Sequence, residues 1–105
     1  MSIEFHDEDL TKLAGMFHLI GDPTRLRILL ICLERPISVG EIAARLDLSA
    51  SLVSHHLRLL RAARLLRGDR RGQQVIYAPA DEHVRIVVAN MVSHVGEMTA
   101  DHRAA

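Results

Sequence analysis

Cysteine is almost missing from this chain. The only one, Cys32, excludes an intrachain disulfide and any paired-cysteine metal or redox motif. Aromatics are nearly as scarce, with one tyrosine, two phenylalanines and no tryptophan, although 49% of the residues are hydrophobic. The core must therefore be built by aliphatic side chains on packed helices. No run approaches the ~20 uninterrupted apolar residues of a membrane span. The first residues, MSIEFHDEDL, are acidic and lack the basic-then-apolar layout of an export signal. A cytoplasmic protein is the expectation. Repeats, linkers and low-complexity tracts are also absent, so residues 1–105 are expected to form one domain. At that size, dimer formation adds usefully to a modest core.

Net charge is absent too, with 13 basic against 13 acidic residues. That balance argues against a nucleic-acid partner until the positions are examined. Seven arginines (45, 58, 61, 64, 67, 70 and 71) lie between Arg45 and Tyr77, against only Asp47 and Asp69. The acids gather at the two ends, in Glu4, Asp7, Glu8 and Asp9 and again in Asp81, Glu82, Glu97 and Asp101. A basic centre between acidic termini is a local anion-binding surface.

Apolar spacing predicts a helix over residues 7–20, broken by Gly21-Asp22-Pro23. Asp22 or Thr24 can cap a second helix that runs to about Leu33, with Pro23 suited to its first turn. Two short helices follow, about Val39–Leu46 and Ser49–Ala63, separated by Asp47-Leu48. Ser49 or Ser51 is a natural cap for the second. After Ala63 the period changes. LLRGDRRGQQVIYAP predicts two strands around a tip at Arg70-Arg71-Gly72, and Pro79 closes the hairpin. The mainly helical order, with one β-hairpin, describes a winged helix-turn-helix.

In that arrangement the second short helix reads DNA. Leu52, Val53, Leu57, Leu59 and Leu60 are expected on its buried side, and Ser49, Ser51, Ser54, His55 and Arg58 toward the major groove. Hydroxyls and imidazole can reach base edges or phosphates, and arginine can grip guanine or phosphate. Arg70 and Arg71 at the hairpin tip are expected against the backbone at the adjacent minor groove, where each phosphate contact adds salt dependence. His55 and His56 diverge by about 100° on a helix, so they do not form an open metal pair. One is expected to face DNA and the other to pack. Cys32 is expected to be an inert buried thiol.

The segment DEHVRIVVANMVSHVGE, Asp81–Glu97, carries different chemistry. Asp81, His83, His94 and Glu97 are all metal-competent, and the last three share one helical face. One helix cannot bring them to one ion, because eleven residues rise by roughly 16 Å while zinc ligands lie about 2 Å from the metal. A second copy running antiparallel solves this. Asp81 then faces the partner's Glu97 and His83 faces the partner's His94, and both pairings place a two-fold axis beside Ala89. Two symmetric sites in a homodimer are expected, each built by both chains. Val84, Val87, Val88, Met91, Val92, Val95 and Met98 form the seam, and the terminal helices 7–20 and 81–99 the interface. Two imidazoles and two carboxylates suit four-coordinate Zn2+. Asp81 also has the default role of helix cap.

DPTRLRILLICL, VGEIAARLDLSASLVSHHLRLLRAARLL, GDRRGQQVIYAP and the D-x-H-x10-H-x2-E helix together cover about residues 10–98. In these stretches the chain resembles the ArsR/SmtB metal-sensing winged-helix repressors, and its last helix resembles their zinc-sensing branch. The resemblance implies a dimeric repressor that holds operator double-stranded DNA when metal-free and releases it when metal binds. It also implies a relay in which His94 donates its second ring N–H to a backbone carbonyl near Arg64. Many members responsive to arsenic, cadmium or lead carry cysteines in the first helix of the DNA-binding pair. VGEIAARL has none, which removes thiolate chemistry there and favours harder or borderline ions.

Other readings remain open in the sequence. A Ni2+ or Co2+ sensor needs six ligands, and His102, His6 or the terminal amine would complete them. An architectural DNA-binding dimer would use the last helix only as a seam. A zinc hydrolase with Glu97 as general base lacks an oxyanion loop and a substrate-pocket signature. No small-molecule substrate and no membrane partner are expected.

Overall fold

The computed structural model describes residues 2–104, with side chains described as far as residue 100. Five helices and three strands follow in the order α1 (Asp7–Ile20), α2 (Pro23–Glu34), β1 (Ile37–Ser38), α3 (Val39–Leu46), α4 (Ala50–Ala62), β2 (Leu66–Arg71), β3 (Gln74–Pro79) and α5 (Glu82–Ala104). Helix α1 opens on Asp7, Glu8 and Asp9, which complement the positive end of its dipole. Asp22 caps α2, accepting from the Arg25 amide at 2.9 Å, and Pro23 occupies the first turn where no amide partner is required. That amide bond holds the Asp22 carboxyl below its ordinary range.

The core is aliphatic, as the shortage of aromatics dictates. Ile28, Leu29 and Cys32 of α2, Ile37 of β1, Ile42 of α3 and Val53, Leu57 and Leu60 of α4 are completely buried. Burial pushes the Cys32 thiol up to about 12, so no thiolate forms near neutrality and the residue acts as a small hydrophobe.

Three features depart from the sequence expectations. The wing is a three-stranded sheet of order β1-β3-β2, because Ile37 and Ser38 pair with Tyr77 and Ile76. A two-residue strand between helices carries no periodicity to detect. The tight loop is Gly72-Gln73, with Arg70 and Arg71 still paired in β2 opposite Val75 and Gln74. Positive φ at Gly72 alone is the requirement of a two-residue loop whose first position is glycine. Helix α5 also continues to Ala104, past the expected end at residue 99.

Two arginines fix the terminal helices. Arg25 Nε donates to the Leu19 carbonyl at 2.9 Å, tying the end of α1 to α2. Arg85 Nη1 donates to the Leu33 carbonyl at 2.8 Å, and its Nε reaches Glu82 at 3.2 Å. The first turns of α5 are thereby pinned against α2. Val84 and Val88 pack on the core, while the rest of α5 projects its apolar residues outward.

Candidate functional site

The α3–α4 turn is built from backbone conformation and a cap. Asp47 takes a left-handed φ of 53°, its successor Leu48 donates back to Ala43, and Ser49 accepts from the Leu52 amide at 3.1 Å. On α4, Val53, Leu57 and Leu60 face the core. Ser51, His55 and Arg58 recur at spacings of three and four on the opposite, exposed face, with Ser54 half-buried beside them. Ser49 is exposed, and its oxygen is engaged as the cap, which leaves its O–H free to donate. Leu52 contradicts the expectation of a buried position: it is 41% exposed. The helical step places it about 100° from Val53, off the buried stripe.

The two histidines divide as expected. His55 is exposed, whereas His56 is half-buried and its Nδ1 lacks a hydrogen-bond partner. Desolvation first, and then the Arg25 and His55 charges, lower the His56 pKa from 6.5, with Asp22 opposing. The neutral ring is favoured in the fold, so the unfolded chain binds more protons below that value. Stability from this group is present above 6.5 and is lost as pH falls toward the folded-state pKa. The melting temperature should therefore drop as pH is lowered through 6.5, and His56→Gln should flatten that drop in parallel thermal scans. Identical slopes for the two proteins would exclude the effect.

Of the seven central arginines, Arg45 pairs with Glu34 at 3.0 Å and Arg67 with Asp69 at 3.2 Å. Arg58, Arg61, Arg64, Arg70 and Arg71 are exposed and enter no ion pair among the described residues. Uncompensated cations thus run from the outer face of α4 to the end of β2, the layout that an anionic backbone requires.

On α5, Asp81 accepts from the Val84 amide at 3.0 Å, so it does cap the helix. That bond, followed by the nearby His83, keeps its carboxyl ionised to lower pH than usual. Asp81 Oδ1 lies 3.7 Å from His83 Nδ1, and both side chains are open to solvent. His94 and Glu97 are exposed further along the same continuous helix. No group of three metal donors forms among the described residues, as the length of one helix between His83 and His94 requires. The His102 side chain lies outside the described residues.

A groove beside His83 is lined by Leu13, Met16 and Phe17 of α1, by Leu65, and by Val84 and Val87 of α5. Leu65 follows Arg64, which sits at a left-handed φ of 57°. Arg64 donates to the Arg61 carbonyl and Leu65 to the Leu60 carbonyl, both at 2.9 Å, closing the end of α4. His83 and the turn that terminates α4 therefore border one groove, a proximity that sequence spacing does not reveal. A second apolar groove continues along Phe17, Ile20, Val88, Met91, Val92 and Val95.

Comparison with known proteins agrees with this architecture. Residues 22–67 match the family described as "Bacterial regulatory protein, arsR family". The chain is similar to the transcriptional repressor SmtB homolog of a Synechocystis strain, 36% identical over 86 residues, covering 82% of this chain and 65% of that protein. It is also 36% identical over 103 residues to the HTH-type transcriptional regulator KmtR of Mycobacterium tuberculosis, covering 94% and 79%. Among solved structures, a homodimeric winged helix-turn-helix DNA-binding domain from Mycobacterium bovis superposes with a TM-score of 0.78 at 23% identity, covering 92% of this chain and 91% of that one. These likenesses identify a winged helix-turn-helix regulator and not an enzyme, and the chain belongs to the ArsR family of bacterial regulatory proteins.

Proposed function

We propose that the protein is a zinc-responsive transcriptional repressor that binds operator DNA as a metal-free homodimer and releases it when metal binds. The carrying observation is the placement of the α5 donors. Asp81 and His83 stand at the start of α5, and His94 and Glu97 lie about three to four turns further along it, on an exposed helix whose Val87, Met91, Val92 and Val95 are about half open. An uncovered apolar stripe of that length favours a second copy. Ala89, at the expected axis, is small and exposed, which allows close approach of the two helices.

Asp81 and His83 with the partner's His94 and Glu97 would hold the ion, and a bound Zn2+ supplies a fixed cross-link between chains. This chain's own residues do the rest. Asp81, as cap, orients the donor end of α5, and Arg85 ties it to α2. The Arg64–Leu65 turn lies where a donor arriving beside His83 meets the end of the reading helix, which supports the proposed relay. Ser49, Ser51, Ser54, His55 and Arg58 would contact the major groove, and Arg70 and Arg71 the flanking phosphates. Such a protein would act where the operator is, in the cytoplasm.

Operator titration by fluorescence anisotropy tests the reading, with Zn2+, Co2+, Ni2+ and Cd2+ added in turn. Zinc is expected to weaken operator binding by about 5–150-fold. Linkage requires operator DNA to weaken zinc binding by the same factor. A response confined to Ni2+ or Co2+, and lost on removing residues 1–6 and 100–105, would replace zinc with a six-coordinate ion. No response to any metal would leave an architectural DNA-binding dimer.

A further inference from the structure

Leu52 is the one exposed large apolar side chain between Phe17 and Ile86 among the described residues. The other exposed large apolar residues belong to the N-terminal segment and α1 or to α5. A second copy on the terminal helices accounts for those on α1 and α5. It does not account for Leu52, which stands in the first turn of α4 between Ser51 and His55. Its backbone position is fixed. Its own amide is bound by the Ser49 cap at 3.1 Å, and the next residue, Val53, is fully buried, so the helix cannot rotate to cover it.

The N-terminal turn of a reading helix is the part that approaches base edges. There the bases present hydrogen-bond donors and acceptors and one apolar group, the C5-methyl of thymine. Ser51, His55 and Arg58 supply polar contacts around Leu52, and Leu52 has none to offer. We infer that Leu52 is a specificity-determining residue that packs on a thymine methyl in each operator half-site. This rests on the DNA-reading role of α4 and adds to it a base preference set by apolar contact.

The test uses the full chain without metal. A duplex is first selected from a randomised pool, and each thymine is then replaced by deoxyuridine, which lacks only the methyl. One position per half-site is expected to lose about fourfold in affinity, the worth of one buried methyl-sized group. Leu52→Ala should bind the thymine and deoxyuridine duplexes equally while keeping the wild-type circular dichroism spectrum. If no deoxyuridine substitution weakens the wild type, or if Leu52→Ala keeps the same sensitivity, the inference is overturned. A chain that selects no duplex would overturn the DNA-reading role itself, a distinct outcome.

Discussion

His94→Ala is expected to abolish the release of operator by zinc and to leave metal-free operator affinity unchanged. The side chain is exposed on α5 and packs on no core residue, so truncation creates neither a cavity nor an unpaired buried group. Its removal leaves each proposed cage with three donors and cuts the proposed link toward Arg64. The coupling, about 5–150-fold in the intact protein, should fall to near onefold. Anisotropy with and without zinc reads this directly, and His18→Ala, an exposed histidine on α1, is the matched control. Asp81→Ala would be a poorer probe, because loss of the cap to Val84 costs about 1 kcal/mol in its own right. Asp81→Asn keeps a capping oxygen while removing the carboxylate charge, and so separates the two roles. A His94→Ala protein that still releases operator at wild-type zinc levels would remove His94 from the switch.

Much of the fold was readable because local signals agreed with tertiary demands. The α1 bounds follow from spacing and the Gly21-Asp22-Pro23 break, while the sequence left the α2 cap open between Asp22 and Thr24 and the structure assigns it to Asp22. The helix-turn-helix follows from a serine cap, Ser49 or Ser51 in the sequence and Ser49 in the structure, and from an apolar set of Leu52, Val53, Leu57, Leu59 and Leu60, of which Val53, Leu57 and Leu60 are buried. Strand β1 was not readable, since Ile37 and Ser38 become a strand only by meeting Tyr77 and Ile76 about forty residues later in the chain. Leu52 departs from its expected burial because helical phase, and not the apolarity of leucine, decides which side of α4 a residue faces. The count of central arginines could not show that Arg45 and Arg67 are held by Glu34 and Asp69. His83, His94 and Glu97 stand on one helix and Asp81 caps it. Their pairing concerns two chains, and its support is the symmetry of the spacing about Ala89 together with the open apolar stripe.

The largest effect is expected from Val92→Arg, which should convert the proposed dimer to a folded monomer and lower operator affinity by about a hundredfold or more. Val92 is 50% exposed and lines the apolar groove with Phe17, Ile20 and Met91, so its substitution leaves the protomer's own core intact. Near a two-fold axis at Ala89 the change enters twice, and burying two unpaired guanidinium groups in an apolar seam is strongly unfavourable. Arginine is chosen over glutamate so that no new metal donor is introduced beside His94. Affinity falls because the second half-site contact is no longer intramolecular once the first is made. Val88→Arg is the informative contrast. Val88 is only 6% exposed and packs on the core cluster, so that change should unfold the protomer and not merely separate two of them. Sedimentation velocity and circular dichroism distinguish these outcomes: Val92→Arg should sediment as a monomer with native helicity, and Val88→Arg should lose the helicity. A Val92→Arg protein that remains dimeric at micromolar concentration would move the interface off α5, and the shared metal cage would go with it.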